Sequence, residues 1–315
     1  MKIAILNECF FTQDHIKRLK KLGEVVIYEN TNSEELAIER SKGADIVIAD
    51  CFITPLNNKV ISSMTQTKLI NINSTGYDHV DIESATKNNV RVANVPNFST
   101  DSVAEQTIAL MFAVNRKIVE GDKIFRETLL EIDPGNQDQR KFLGFNFKGK
   151  TLGIIGFGNI GKRVAELGKG LDMKVIAYNR SKKSMKNVEF LGLSEVLKRS
   201  DVVSLCLASS SDTNKIISKK EFSLMKKSSL LINTASGKLV DTNALMEALQ
   251  TGTIAGAGLD GVADLNKNHP FLKLKNVVFS PHSGFFTEES LKNIADIITE
   301  SVEKFANGKP INLVN

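Results

Sequence analysis

The stretch Thr151-Leu-Gly-Ile-Ile-Gly-Phe-Gly-Asn-Ile-Gly-Lys-Arg-Val-Ala-Glu-Leu-Gly168 constrains this chain more than any other. A β-branched apolar run drives into Gly156-x-Gly158-x-x-Gly161 and out into helical periodicity, which is the pattern of a dinucleotide-phosphate cradle. Gly156 permits the tight strand-to-helix turn, Gly158 lets backbone approach a pyrophosphate, and Gly161 lets helix and strand pack closely. A helix starting near Asn159 and Ile160 would aim its backbone N–H groups and positive dipole end at that anion. Gly256-Ala-Gly258-Leu-Asp-Gly261 has the same spacing but no helical pattern after it, so it reads as a decoy.

At 315 residues, with 42% hydrophobic, the chain exceeds one ordinary domain and can fill two cores. Residues 1–98 alternate short apolar strands (2–7, 24–29, 45–50, 68–73, 91–95) with amphipathic helices (12–22, 33–42, 56–64, 81–88). From 151 the same rhythm resumes, with strands near 174–179, 202–207, 229–234, 254–260 and 276–280. Such βαβ units predict an α/β fold of two doubly wound parallel-sheet domains. The first is a flavodoxin-like domain of residues 1–98 completed by 287–315, and the second a Rossmann dinucleotide-binding domain of 99–286. The chain crosses between them after Asn94-Val-Pro-Asn-Phe-Ser-Thr100, where Ser99 or Asp101 is a candidate N-cap for a helix through about residue 118. Residues 121–150 read as an irregular excursion.

The net charge of +5 arises from 41 basic and 36 acidic residues without a long like-charged run, so nucleic acid is not an expected partner. Cys9, Cys51 and Cys206 are odd in number and lie in or beside apolar strands, as reduced core thiols do, and no metal-ligand spacing is present. With no signal-like start and no apolar run near the ~18 residues that span a bilayer, the expectation is a cytoplasmic protein without membrane association.

Strand ends of the second half carry Asn233-Thr-Ala-Ser-Gly237, Leu259-Asp260-Gly261 and Pro281-His282-Ser-Gly284. With the cradle, Ser74-Thr-Gly-Tyr-Asp78, Asn94–Thr100, Val103-Ala-Glu105 and Leu239-Val-Asp241, these resemble the D-2-hydroxy acid dehydrogenase family over nearly the whole chain. The resemblance implies hydride transfer between a nicotinamide and a small carbonyl or 2-hydroxy compound. It implies His282 as proton donor, a role that suits an imidazole of ordinary pKa about 6.5. His15, His79 and His269 lack such context and read as surface or loop residues. Ser74, Thr75, Gly76 and Tyr77 form the implied substrate loop, and Cys206, Thr234, Ala235 and Asp260 join the implied cofactor set.

Two positions depart from the family pattern: its substrate-clamping arginine falls on Ser236, and the acidic partner of its histidine on Ala263. Lys238 and Asp264 are the neighbouring candidates to replace them. The expected substrate is therefore atypical, and the alternative is a cofactor-binding regulatory or scaffold protein. NADP is expected ahead of NAD, because the ribose-side strand ends in neutral Asn179 followed by Arg180, Ser181, Lys182 and Lys183. The segment 101–148, with Phe112, Phe125, Phe142, Phe145 and Phe147, predicts a homodimer.

Overall fold

The computed structural model describes residues 1–315 except Cys9, Pro134, Ala263 and Asp264, and divides into two compact units. One comprises Met1–Ser99 with Phe286–Asn315, the other Thr100–Phe285.

In the first unit, strands β1 (Lys2–Ile5), β2 (Glu24–Ile27), β3 (Ile46–Ala49), β4 (Leu69–Ile72) and β5 (Arg91–Ala93) form an all-parallel sheet ordered β2-β1-β3-β4-β5. β3 and β4 are buried along their whole length because helices cover both faces, and this is why they read as unbroken apolar runs. The helices are α1 (Gln13–Lys20), α2 (Glu34–Ser41), α3 (Asn58–Ser63) and α4 (Ile82–Lys87). Ser33, Asn57 and Asp81 start the last three by accepting the N–H of Leu36, Val60 and Ser84, and such caps contribute about 1 kcal/mol each.

The C-terminal helix, α11 (Glu288–Ala306), completes this unit against α1. Arg18 grips Glu303 through Nε and Nη2 at 2.9 and 2.7 Å. His15 is a correction to the surface reading. It is only 4% exposed, its Nδ1 accepts the Thr12 N–H at 3.1 Å, and Nε2 therefore carries the proton toward Asp296 Oδ1 at 2.9 Å. The residue plays the part glutamate takes in a capping box while tying the two helices together.

In the second unit, β6 (Thr151–Ile155), β7 (Lys174–Tyr178), β8 (Glu189–Phe190), β9 (Val202–Leu205), β10 (Leu230–Asn233), β11 (Gly256–Asp260) and β12 (Val277–Ser280) are parallel and ordered β12-β11-β10-β9-β6-β7-β8. The strand order reverses between β6 and β9, which opens a crevice at their carboxyl ends. Helices α5 (Thr100–Asn115), α6 (Ile118–Thr128), α7 (Asn159–Gly170), α8 (Leu193–Arg199), α9 (Lys219–Leu224) and α10 (Thr242–Gln250) accompany the sheet. Gly256-x-Gly258 lies inside β11, where the missing side chains seat α5: a Cβ at Gly258 would come within 3.0 Å of Leu110 Cβ. No helix of the described chain is long and apolar enough to cross a membrane.

The excursion after α5 is less irregular than its sequence suggests, since Ile118–Thr128 is helical. Its aromatic residues also divide. Phe147 is buried in edge-to-face contact with Phe112 and Phe145, which pack on their own unit, whereas Phe125 is 50% exposed. Exposed Ile118, Val119, Leu129 and Leu143 join it.

Candidate functional site

The cradle is built by backbone. Gly156 has φ of +94°, a left-handed conformation reserved for glycine, and its N–H bonds the Tyr178 carbonyl at 2.9 Å. Gly161 lies so close to the turn that a Cβ there would stand 2.3 Å from the Gly156 carbonyl oxygen. Gly158 is the N-cap of α7, and a Cβ there would meet nothing within 4 Å. Its face is open to a ligand. The first turn of α7 carries no acidic side chain to oppose an anion at the positive helix end.

A cavity of about 550 Å³ adjoins this turn in the second unit, bounded by the cradle, by Tyr178–Ser181 with Lys183, and by Cys206–Ala208, Ser210, Asp212 and Thr213. Asn179 Oδ1 accepts the Phe157 N–H at 2.9 Å while Nδ2 bonds the Ser181 carbonyl and hydroxyl at 2.9 Å each. One amide thus fixes the cradle to the basic turn. Arg180 reaches Asp212 at 3.2 Å, both largely exposed. Cys206 is partly buried, and burial pushes its thiol up to about 11, so it forms a neutral wall and no nucleophile. The residues fit a dinucleotide: a side-chain-free approach, a helix start, and a polar ribose corner without a carboxylate at Asn179.

The remaining strand ends of this unit lie on the same edge of the sheet. Thr234 is buried with its hydroxyl 2.7 Å from that of Thr107. Ala235 donates its N–H to Asn233 Oδ1, and Asn233 Nδ2 bonds the Ser236 carbonyl at 3.0 Å. Ser236 caps a 3₁₀ turn, Gly237–Leu239, its Oγ accepting the Lys238 N–H at 3.3 Å, and Lys238 is exposed. His282 is exposed in a left-handed conformation, φ +56°, directly after β12. Its ring touches that of Phe285 edge-on. Asp260, 3% exposed, accepts the N–H groups of Ser283 and Gly284 at 2.9 and 2.8 Å. Ala263 and Asp264 lie outside the described residues.

In the first unit the loop after β4 is held from behind. Ser74 is buried and donates to the Gly76 carbonyl at 2.5 Å, with Cys51 Sγ 3.2 Å from its Oγ; burial pushes the Cys51 thiol up. Thr75 donates to the Val95 carbonyl at 2.7 Å. The hydroxyls of Ser74 and Thr75 are therefore engaged within the loop, and Thr75, Gly76, Tyr77, Asp78 and His79 are exposed on it. The Phe52 ring packs at a tilt against His79 beside it, ring centroids 4.9 Å apart.

Several participants escaped sequence reasoning. Phe157 and Asp212 line the cavity, and the polar run Ser209–Thr213 after β9 was the available signal for the second, whereas Lys183 of the expected basic turn is in the lining. Gln106 and Ser280, which bond each other behind His282, had no signal at all.

Residues 108–284 match the family model described as the NAD binding domain of D-isomer specific 2-hydroxyacid dehydrogenases. Glyoxylate reductase of Thermococcus litoralis is 37% identical over 313 residues, 96% of this chain and 94% of that protein. Among solved structures, an acyclic imino acid reductase in complex with NADPH and D-Arg superimposes over 100% of both chains, with TM-score 0.91 and 34% identity. The D-lactate dehydrogenase of Aquifex aeolicus, complexed with NAD and lactic acid, gives TM-score 0.85 at 30% identity over 100% of this chain and 99% of that one. With the family's cofactor-binding sequence, its two parallel-sheet units and relatives matched along almost their full length, this chain belongs to the D-isomer specific 2-hydroxyacid dehydrogenases, oxidoreductases that bind a nicotinamide cofactor.

Proposed function

We propose that the protein is an NADPH-dependent reductase of a small carbonyl or imine compound, with His282 as proton donor. The observation that carries the reading is His282 itself, exposed on a loop pinned beside the cradle's sheet edge. The bound nicotinamide would supply hydride to the substrate carbon. The imidazolium of His282 would give its proton to the substrate oxygen or nitrogen as negative charge builds there, leaving neutral imidazole to be reprotonated from solvent. The backbone at Gly76 and Tyr77 would bind an anionic substrate group. Ser236 supplies no fixed positive charge, and its hydroxyl already caps the turn at Lys238.

Losing a charge-assisted contact costs about 1.5–3 kcal/mol, or roughly ten- to a hundredfold in rate if felt in the transition state. Glyoxylate, hydroxypyruvate and pyruvate should therefore be reduced slowly, as followed by loss of 340 nm absorbance, and more slowly still by Lys238→Ala if that ammonium substitutes for the arginine. Restored turnover in Ser236→Arg with Ala263→Glu would identify an inherited 2-oxo acid site. Brisk native turnover would overturn the view that Ser236 weakens it. The similar imino acid reductase, solved with NADPH and D-Arg, supports including C=N substrates.

Support for NADPH comes from Asn179, whose oxygen is bound to the Phe157 N–H, and from Arg180, Ser181 and Lys183 around the cavity mouth. Calorimetric titration should show NADPH bound more tightly than NADH, and Arg180→Ala should narrow that gap roughly tenfold or more. Equal binding of both cofactors would sink the preference. The regulatory reading is favoured by Ser236 and Ala263, and it predicts cofactor binding with no turnover of any carbonyl or imine.

The protein is further proposed to form a homodimer that covers the apolar side chains of Ile118, Val119 and Phe125, each at least half exposed. Light scattering should give twice the 34.6 kDa chain mass.

A further inference from the structure

Alanine stands at position 263, where the family has the histidine's acidic partner, and the described residues offer another means of placing His282. The structure offers a chain of hydrogen bonds that starts on α5. Gln106 Nε2 donates to Ser280 Oγ at 3.0 Å. That hydroxyl has one proton, which consequently points at Asp260 Oδ1, 2.5 Å away. Asp260 then receives Ser283 N–H on the same oxygen and Gly284 N–H on the other. Every partner donates, which is the arrangement an acceptor-only carboxylate satisfies.

These bonds straddle the histidine: Ser280 lies two residues before His282, and Ser283 and Gly284 follow it. Gly284 is needed for the grip, because a Cβ there would stand 2.7 Å from Asp260 Oδ2 and 3.3 Å from Gln106 Cγ. Between the two pins His282 adopts φ of +56°, uncommon for a side-chain-bearing residue and kept only where the surroundings over-determine it.

We propose that Gln106 and Ser280 are positioning residues for His282, setting its backbone through Asp260 so that the ring is placed by the loop. The inference rests on the reading of His282 as proton donor. Gln106 sets the sense of the Ser280 hydroxyl, the hydroxyl steadies the carboxylate, and the carboxylate holds the turn.

The test is made on the NADPH-loaded full chain by amide hydrogen exchange and by NMR of ring ¹³C-labelled histidines, of which the chain has four. Ser280→Ala and the near-isosteric Gln106→Met should each speed exchange at Ser283 and Gly284 by about tenfold, the equivalent of one hydrogen bond of this kind. The His282 ring signal, identified by its loss in His282→Gln, should split or broaden. The signal of His269, in the same unit, should not change, which verifies the fold. Ser280→Thr keeps a hydroxyl and should restore both readouts, and the double variant should exceed the worse single variant little, as for residues acting in series. Unchanged exchange and an unchanged His282 signal in both single variants would overturn the proposal. The underlying reading fails differently: if His282→Gln retains full glyoxylate-reducing turnover, His282 is not the donor, whatever the exchange data show.

Discussion

Both units wind a parallel sheet to either side of an opening strand, yet the chain leaves that strand differently in each. Beyond β1 it places Asn7, 3% exposed, whose Oδ1 accepts the Asp50 N–H at 3.0 Å and the Thr54 hydroxyl at 2.7 Å. Beyond β6 it places Gly156-Phe157-Gly158, with open space where a Gly158 Cβ would be. The same topological position is plugged by a side chain in one unit and kept free of one in the other. A doubly wound sheet supplies the crevice; the residues at the end of its first strand decide whether a dinucleotide can enter.

The largest effect should come from Gly161→Ala. Its Cβ would press on the Gly156 carbonyl at 2.3 Å, and a backbone atom cannot swing aside as a flexible side chain can. A loss of about 3 kcal/mol or more is expected in urea denaturation, together with loss of cofactor binding. Near-native stability would show that the cradle turn tolerates a wider approach than its geometry implies.

Next come two substitutions whose outcomes should cross. Gly158→Ala has room for its methyl and an unstrained φ of −83°, so stability should hold within ~0.5 kcal/mol while NADPH affinity falls roughly tenfold or more. Gly258→Ala would crowd Leu110, Ile232 and Val114 at 3.0–3.2 Å, costing about 1–3 kcal/mol of stability with cofactor affinity little changed. If both variants lost stability alone, or both lost affinity alone, the distinction between cradle and helix seat would collapse.

How much of this was legible in sequence follows from where each residue's partners lie. The strands announced themselves because a parallel sheet covered on both faces needs unbroken apolar runs, as in Ile46-Val-Ile-Ala49. The cradle was legible because its turn and helix start lie in one stretch, where Gly161 answers to Gly156 and Ile154. Helix α6 was not. Lys117 and Leu129 at its ends are both left-handed and its N-cap has no side-chain hydrogen bond, so the usual Ser, Asp or Gly signals are missing, and its apolar residues are largely exposed. His15 was misread because Asp296, the partner that buries it, is 281 positions away. Gln106 was missed for the same reason, standing 174 positions from Ser280.

The smallest effect tests what the two units share. Each fastens its opening strand with an aspartate just ahead of the neighbouring strand: Asp45 accepts the Lys2 N–H at 2.9 Å, and Asp201 accepts the Thr151 N–H at 2.8 Å. A lysine pairs with each, Lys68 at 3.4 Å and Lys226 at 2.8 Å. Both carboxyls are held below the usual range. For Asp45 the Lys2 N–H is the main cause, with Lys68 adding to it. For Asp201, burial pushes upward but is outweighed by the Lys226 ammonium and the Thr151 N–H together. A carboxyl whose folded pKa lies below its unfolded value, about 3.9, stabilises the fold above that value and loses the contribution as pH falls through the folded one. Asp201→Asn should therefore cost about 1–2 kcal/mol at pH 7, and Asp45→Asn, with its longer and more exposed lysine contact, less than about 1 kcal/mol. Both deficits should shrink below pH 4, as native and variant converge on a neutral side chain. Denaturant titrations across pH 2.5–7 would show it, and a deficit for Asp201→Asn that stayed constant through that range would mean that the aspartate acts by shape and hydrogen bonding alone, with its charge contributing nothing.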